Sequence, residues 1–368
     1  CSVSYLISED DQAKEGITMT FPKEHYAEAV DGRLILLISD NNSSEMRFQL
    51  RDDSKKCQGF GMDVNQWKAG QAIPFALNSF GYPINNIEDL PKGEYFVQAL
   101  FHKYETFIRA DGHVVKLPMD RGEGQQWNRS PGNLYSTPKK VKIIKGETPQ
   151  FSIHLDQIIP PIKKPKDTKY VKHIQIRSKM LSDFWGRDMH IGAHVLLPEG
   201  WDDHPDVKYP LAIQHGHFPR DFGGFRVEPP DPNLKPTYSE RFSVDGYNKT
   251  VQEEAHDFYK LWTGPDFPRV LAVLIQHPTP YYDDSYAVNS EAQGPYGDAL
   301  TYELIPEIEK RFRGIGEGWS RFVYGGSTGG WEALAVQVKY PKEYGMCLAA
   351  CPDPIDFRAY CLVNIYFI

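Results

Sequence analysis

The residues with the clearest chemical spacing are Gly325-Gly326-Ser327-Thr328-Gly329, a G-x-S-x-G pentapeptide. A β-type run, Arg321-Phe322-Val323-Tyr324, precedes it, and a helix-type run, Trp331-Glu332-Ala333-Leu334-Ala335-Val336, follows. A serine on a sharp strand-to-helix turn is held in a strained backbone conformation with its hydroxyl exposed, as a nucleophile requires. Gly325 and Gly329 lack Cβ atoms, so strand and helix can approach closely there. The helix N-terminus behind Ser327 favours negative charge developing on a substrate. The plainer alternative is a glycine-rich turn that binds an anion or only reverses the chain.

Upstream, His215-Gly216-His217-Phe218-Pro219 follows the apolar run 209–214. Gly216 permits a tight turn that aims a backbone N–H inward. The N–H of His217 or Phe218 is then a second oxyanion donor, the first being that of Thr328. His-x-His also sets two imidazoles on one side of a strand, as metal-dependent hydrolases do. Such a site needs more ligands, and after His217 only His256 and His277 remain. The oxyanion loop is favoured, and no metal or other cofactor is expected. A third region, Gly294-Pro295-Tyr296-Gly297-Asp298, comes after Tyr281-Tyr282-Asp283-Asp284. It either lines the site near Ser327 or forms a turn with Asp298 as N-cap. The insertion at 220–265, with Phe258, Tyr259 and Trp262, reads as an active-site lid or as ordinary loop packing.

These groups must be positioned by the elements around them. Short alternating runs at 17–21, 33–38, 46–50, 95–101, 113–117, 141–144 and 151–155 predict β structure, broken by turn residues such as Asp31-Gly32 and Asp111-Gly112. A β-sandwich-like domain is expected over 1–156. Three prolines and three lysines in 160–166 predict an extended linker, and 157–177 is expected as linker and lead-in. From 178 to 368 strands alternate with helices: strands at 191–197, 209–214, 269–276, 321–324 and 344–350, helices at 298–312 and 328–340. That alternation predicts an α/β sheet. Pro306 is expected to kink the first helix or mark its solvent side.

Composition narrows the classes. The 368 residues carry a formal net charge of −8, which leaves no overall basic footprint for nucleic acid. No apolar run approaches the roughly 20 residues that span a bilayer. Five cysteines (Cys1, Cys57, Cys347, Cys351 and Cys361) form no disulfide pattern; Cys347 and Cys351 read as small buried hydrophobes. Cys1 is the position of a lipidated cysteine in a mature bacterial lipoprotein, or simply where a fragment starts. The apolar ending Asn364-Ile365-Tyr366-Phe367-Ile368 suggests a cut inside a folded domain.

From about Ser178 the sequence resembles the esterase D-like branch of the α/β-hydrolases, which includes feruloyl, acetyl-xylan and enterochelin esterases and S-formylglutathione hydrolase. The resemblance is carried by Leu196-Leu197-Pro198-Glu199-Gly200, Tyr209-Pro210, His215-Gly216-His217, Gly294-Pro295-Tyr296-Gly297-Asp298, the run 303–309, and the elbow with Gly330. It implies a serine esterase forming an acyl-enzyme on Ser327, with a histidine base and an acidic partner. The family order is serine, acid, histidine. No histidine follows Ser327, so acid and base are expected beyond Ile368 and the chain as given is expected to be inactive. Asp353 and Asp356 are early candidates for the acid, a structural or substrate-lining role being favoured. The substrate expected is a small-molecule or carbohydrate-linked ester, met outside the cytoplasm. The competing readings are a non-catalytic carbohydrate- or surface-binding lipoprotein and a metal-dependent hydrolase using His215 and His217.

Overall fold

The computed structural model describes residues 16–367 except 51–56, 120, 125, 145, 217–220, 240–241, 282–283, 355–357 and 359–363. Cys1, His217, Phe218, Asp356 and Cys361 therefore lie outside the described residues. Contacts divide the chain into two units. One runs to Thr106 and resumes over Lys116–Ile162; the other takes Phe107–Val115 and Lys163–Ile368.

In chain order the N-terminal strands are β1 (Ile17–Thr20), β2 (Val30–Ser39), β3 (Gln58–Trp67), β4 (Ile73–Phe75), β5 (Phe80–Tyr82), β6 (Gly93–Ile108), β7 (Val114–Leu117), β8 (Leu134–Tyr135), β9 (Lys139–Ile143), β10 (Phe151–His154) and β11 (Gln157–Ile158). They form a three-stranded sheet, β10-β1-β4, and a larger one along β11-β8-β6-β2-β3-β5. Alternation along β2 sends Leu34, Leu36 and Ile38 into a core with Phe21, Trp67 and Phe101. Trp67 meets Phe21 and Phe101 edge-on, with ring centroids 4.7 and 5.3 Å away, and each such burial contributes about 2–3 kcal/mol.

Residues 46–50 are not the strand expected. Met46–Phe48 is a 3-10 turn, because the Gln49 side chain binds Asn41 O and Ser44 O and accepts from Ser39 Oγ. Local side-chain bonds outcompete a ladder there. Conversely, β3 is a full strand that its two glycines and polar residues concealed.

The second unit holds β12 (Val171–Ser178), α1 (Lys179–Trp185), β13 (Met189–Leu196), β14 (Leu211–Gln214), α2 (Tyr247–Thr263), β15 (Leu271–Gln276), the short β16 (Asn289–Ser290) and β17 (Gly294–Pro295), α3 (Tyr296–Ala299), α4 (Ile305–Phe312), β18 (Arg321–Gly326), α5 (Thr328–Lys339) and β19 (Met346–Ala350). Its six-stranded sheet has the order β12-β13-β15-β14-β18-β19. β12, β13 and β15 pair antiparallel; β15, β14, β18 and β19 pair parallel. The stretch expected as linker and lead-in is thus partly sheet, since β12 pairs with β13 along all eight residues. Its lysine, histidine and arginine hid the alternation of Ile174 and Ile176.

Between α3 and α4, Leu300–Leu304 widens into a π-turn. Pro306 follows at the start of α4, on the exposed side, while Leu300, Leu304 and Ile308 are buried. The aromatics of the 220–265 insertion pack inward. Trp262 is buried with Tyr170, Leu196 and Ala272, flanked by Phe258 and Tyr259, and its indole N–H donates to Leu197 O at 2.9 Å. Packing, not a lid, accounts for them. The four parallel strands end at one edge, which brings together the residues just past β14, β15, β18 and β19.

Candidate active site

Ser327 stands alone between β18 and α5, at φ 56° and ψ −125°. A side-chain-bearing residue held there costs about 1–3 kcal/mol and persists only where its surroundings enforce it. Here they do. Ser327 N–H donates to Ala350 O at 3.0 Å, and Ser327 O accepts from the N–H groups of Gly330 (2.9 Å), Trp331 (3.1 Å) and Asp353 (3.2 Å). A Cβ on Gly325 would lie 2.2 Å from Gly329 O, and one on Gly329 would lie 2.3 Å from His215 O. Both elbow glycines are therefore imposed by contact. Ser327 itself is exposed.

The serine hydroxyl donates to Asp353 Oδ1 at 3.2 Å, and the Thr328 hydroxyl donates to Asp353 Oδ2 at 2.8 Å. A triad acid acts through the far nitrogen of an imidazole and not on the serine, so Asp353 does not occupy a triad acid's place. The Thr328 N–H heads the first turn of α5, where helix geometry supplies no intrahelical acceptor. The other expected donors, His217 and Phe218, lie outside the described residues. The segment leading to them starts beside the elbow: His215 N–H donates to Tyr324 O at 2.9 Å, and Gly216 Cα lies 3.1 Å from the Gly329 Cβ position.

Behind the elbow lies a group that the spacing did not reveal. Glu332, on the second turn of α5, is fully buried. Its Oε2 lies 3.8 Å from His215 Nδ1 and 4.0 Å from His277 Nε2, both rings being buried. His277 Nδ1 is 2.6 Å from Ser285 Oγ. Burial, with the neighbouring His277 adding to it, pushes the His215 imidazole down to about 3, so His215 is neutral at ordinary pH. The available signal was a glutamate within the apolar run Trp331 to Val336. Among the described residues no group of histidine, cysteine and carboxylate side chains is arranged to hold a metal ion.

Asp298 is not an N-cap. Pro295 precedes α3, while the Asp298 carboxylate accepts from the Tyr340 hydroxyl at 2.8 Å and its N–H donates to Asn289 Oδ1 at 3.0 Å. Cys57 is buried, whereas Cys347 is only partly buried and Cys351, just past β19, is exposed, so the pair does not serve as small buried hydrophobes.

Among solved structures, a ferulic acid esterase of the anaerobic fungus Anaeromyces mucronatus is 17% identical, over 52% of this chain and 63% of its own length, at a TM-score of 0.28. An S-formylglutathione hydrolase of Agrobacterium tumefaciens is 13% identical over 54% of this chain and 67% of its own, at 0.34. A thermostable esterase is 14% identical over 94% and 79%, at 0.30. The chain thus spans less than two thirds of the Anaeromyces enzyme. No curated protein matches. Residues 276–355 match the family described as "Putative esterase". That stretch contains β18, the strained serine and α5, and over it the chain is similar to that family.

Proposed function

We propose that the second unit hydrolyses carboxylic esters through an acyl-enzyme on Ser327. The observation that carries this is the exposed serine, held in a disfavoured backbone conformation by four main-chain hydrogen bonds and two glycine contacts. Such an arrangement costs stability and serves chemistry. Ser327 Oγ adds to the ester carbonyl. The oxyanion that forms accepts from the Thr328 N–H and from a second donor in the segment His217–Phe218. Each oxyanion donor is worth about 3–4 kcal/mol in enzymes of this chemistry. The alcohol then leaves, and water releases the acid. The substrate class proposed is a small-molecule or carbohydrate-linked ester.

A fluorophosphonate probe tests the nucleophile. Labelling of the wild-type protein at Ser327, with loss of labelling and a fall of at least about 10⁴-fold in p-nitrophenyl acetate hydrolysis for Ser327→Ala, is the expected result. A wild-type protein that binds no probe, or a Ser327→Ala variant that keeps its activity, overturns the reading.

A further inference from the structure

We propose that Glu332 is a positioning residue: through His215 and His277 it fixes the first turn of α5 against the ends of β14 and β15, and so sets where the oxyanion donors stand around Ser327. This rests on the esterase reading and concerns the geometry of the donors, not the proton transfers.

Placement comes first. In the proposed reaction the oxyanion has two donors from different elements, Thr328 N–H on α5 and a group in the segment that follows His215-Gly216 at the end of β14. Their separation is therefore a property of neither element alone. Glu332 stands on α5 one turn beyond Thr328. Its Oε2 lies 3.8 Å from His215 Nδ1 and 4.0 Å from His277 Nε2. His215 is the first residue past β14, and His277 the first past β15. One carboxylate thus meets the ends of two neighbouring parallel strands.

A second arm runs on from His277. Ser285 N–H donates to His277 Nδ1 at 3.3 Å, so that nitrogen is an acceptor and the ring proton sits on Nε2, the side facing Glu332. Ser285 Oγ accepts from Ala287 N–H at 3.1 Å, and Tyr286 N–H donates to Asp284 Oδ1 at 2.9 Å. These bonds hold Tyr286 and Ala287 at φ 55° and 51°. Tyr286 meets the Trp331 ring edge-on, with centroids 5.8 Å apart, and Trp331 N–H bonds Ser327 O. The loops after β14 and β15 are thereby fixed to the same turn of α5.

Adhesion alone does not call for such a group. Glu332, His215 and His277 are all buried, and among the described residues neither ring nitrogen of His215 has a hydrogen bond. An apolar side chain of similar volume would pack α5 at least as firmly, without the cost of removing polar atoms from water. What the polar cluster adds is direction, because its attractions in a dry interior depend on which atoms face one another.

The test compares Glu332→Ala, Glu332→Gln, His215→Ala and the Glu332→Ala, His215→Ala double variant in the intact protein. Its readouts are kcat and KM for p-nitrophenyl acetate, the inhibition constant of a trifluoromethyl ketone that forms an oxyanion on the serine, the fluorophosphonate labelling rate and the melting temperature. Positioning requires that Ala at either site lower kcat by about 10–100-fold with KM within about threefold, because the donors act on charge present only in the transition state. The ketone should weaken by a similar factor, and Ser327 should still be labelled, only more slowly. Gln, which keeps the shape and a carbonyl oxygen, should lie nearer to wild type than Ala does. The double variant should lose no more than about threefold beyond the worse single one. A folded Glu332→Ala variant with kcat within about threefold of wild type overturns the proposal. So does a loss confined to KM, and so do single losses that multiply in the double variant. If Glu332→Ala does not fold, Glu332→Leu, close in volume, takes its place, and wild-type kcat in the folded Leu variant or in His215→Ala overturns the proposal equally. A wild type that neither hydrolyses the ester nor takes the probe fails the esterase reading first, a result distinct from any of these.

Discussion

The two sides of the elbow handle carboxylates in opposite ways. On the exposed side Asp353 meets two hydroxyls, those of Thr328 and the strained Ser327, within reach of solvent. On the buried side Glu332 is sealed with two imidazoles at 3.8 and 4.0 Å. One helix start separates them: Ser327 precedes α5 and Glu332 lies within it. The carboxylate beside the serine stays partly accessible. A buried one must be matched by polar partners, because an unmatched polar group in the interior costs about 1–3 kcal/mol or more. On the proposed reading the exposed side carries the chemistry, while the buried side packs the start of the loop after β14 against the helix.

Three substitutions or conditions sharpen that contrast. The largest effect is expected from Gly329→Ala. Its methyl would meet His215 O at 2.3 Å, and backbone cannot yield cheaply. The elbow and the loop after β14 should part, with probe labelling at Ser327 falling by about 100-fold or more; labelling near wild type would show that the close approach is not needed. Next comes Glu332→Ala, which leaves a cavity beside two buried imidazoles. A loss of about 2–4 kcal/mol in a denaturant titration is expected, with the folded fraction still labelled at Ser327. Loss of labelling at unchanged stability would move Glu332 to the catalytic side.

The smallest effect is on pH. The His215 imidazole is held down to about 3 by burial, and His194, partly buried and close to His173, to about 4. An unfolded histidine takes its proton near 6.5. Between about pH 6.5 and those folded values the unfolded chain binds more protons, so stability falls as pH falls through that window. Each histidine contributes at most about 1.4 kcal/mol per pH unit. Denaturant midpoints at pH 7, 5.5 and 4.5 should decline, and His215→Phe should flatten the decline even if it lowers stability at pH 7. An unchanged slope in that variant would refute the assignment.

The elbow was legible because its constraints are local. A strand, three glycines, a serine and a helix within about 20 residues leave few backbone solutions. The site around it was not. Glu332, His215 and His277 are 117 and 55 residues apart at the histidine ends of their contacts, as 332 − 215 and 332 − 277, and only the parallel order of β15, β14 and β18 brings them together. Asp353 was noticed as an early candidate for the acid, with a structural or substrate-lining role favoured, but its contact with Ser327 was not foreseen. A loop residue's distance to Ser327 depends on the β18–β19 register, which periodicity does not report. β3 and β12 escaped for a related reason: glycine and charged residues mask alternation wherever pairing, not composition, stabilises the strand.

By itself the sequence determined the sharp strand-to-helix turn at Ser327, its two glycines and the alternation of strand and helix around them, since each depends on backbone sterics within one short segment. The tertiary structure decided which carboxylate faces the serine and which is buried with the histidines. Those choices follow from strand order and register, which bring distant residues to one edge of the sheet and whose energies come from contacts no short window contains.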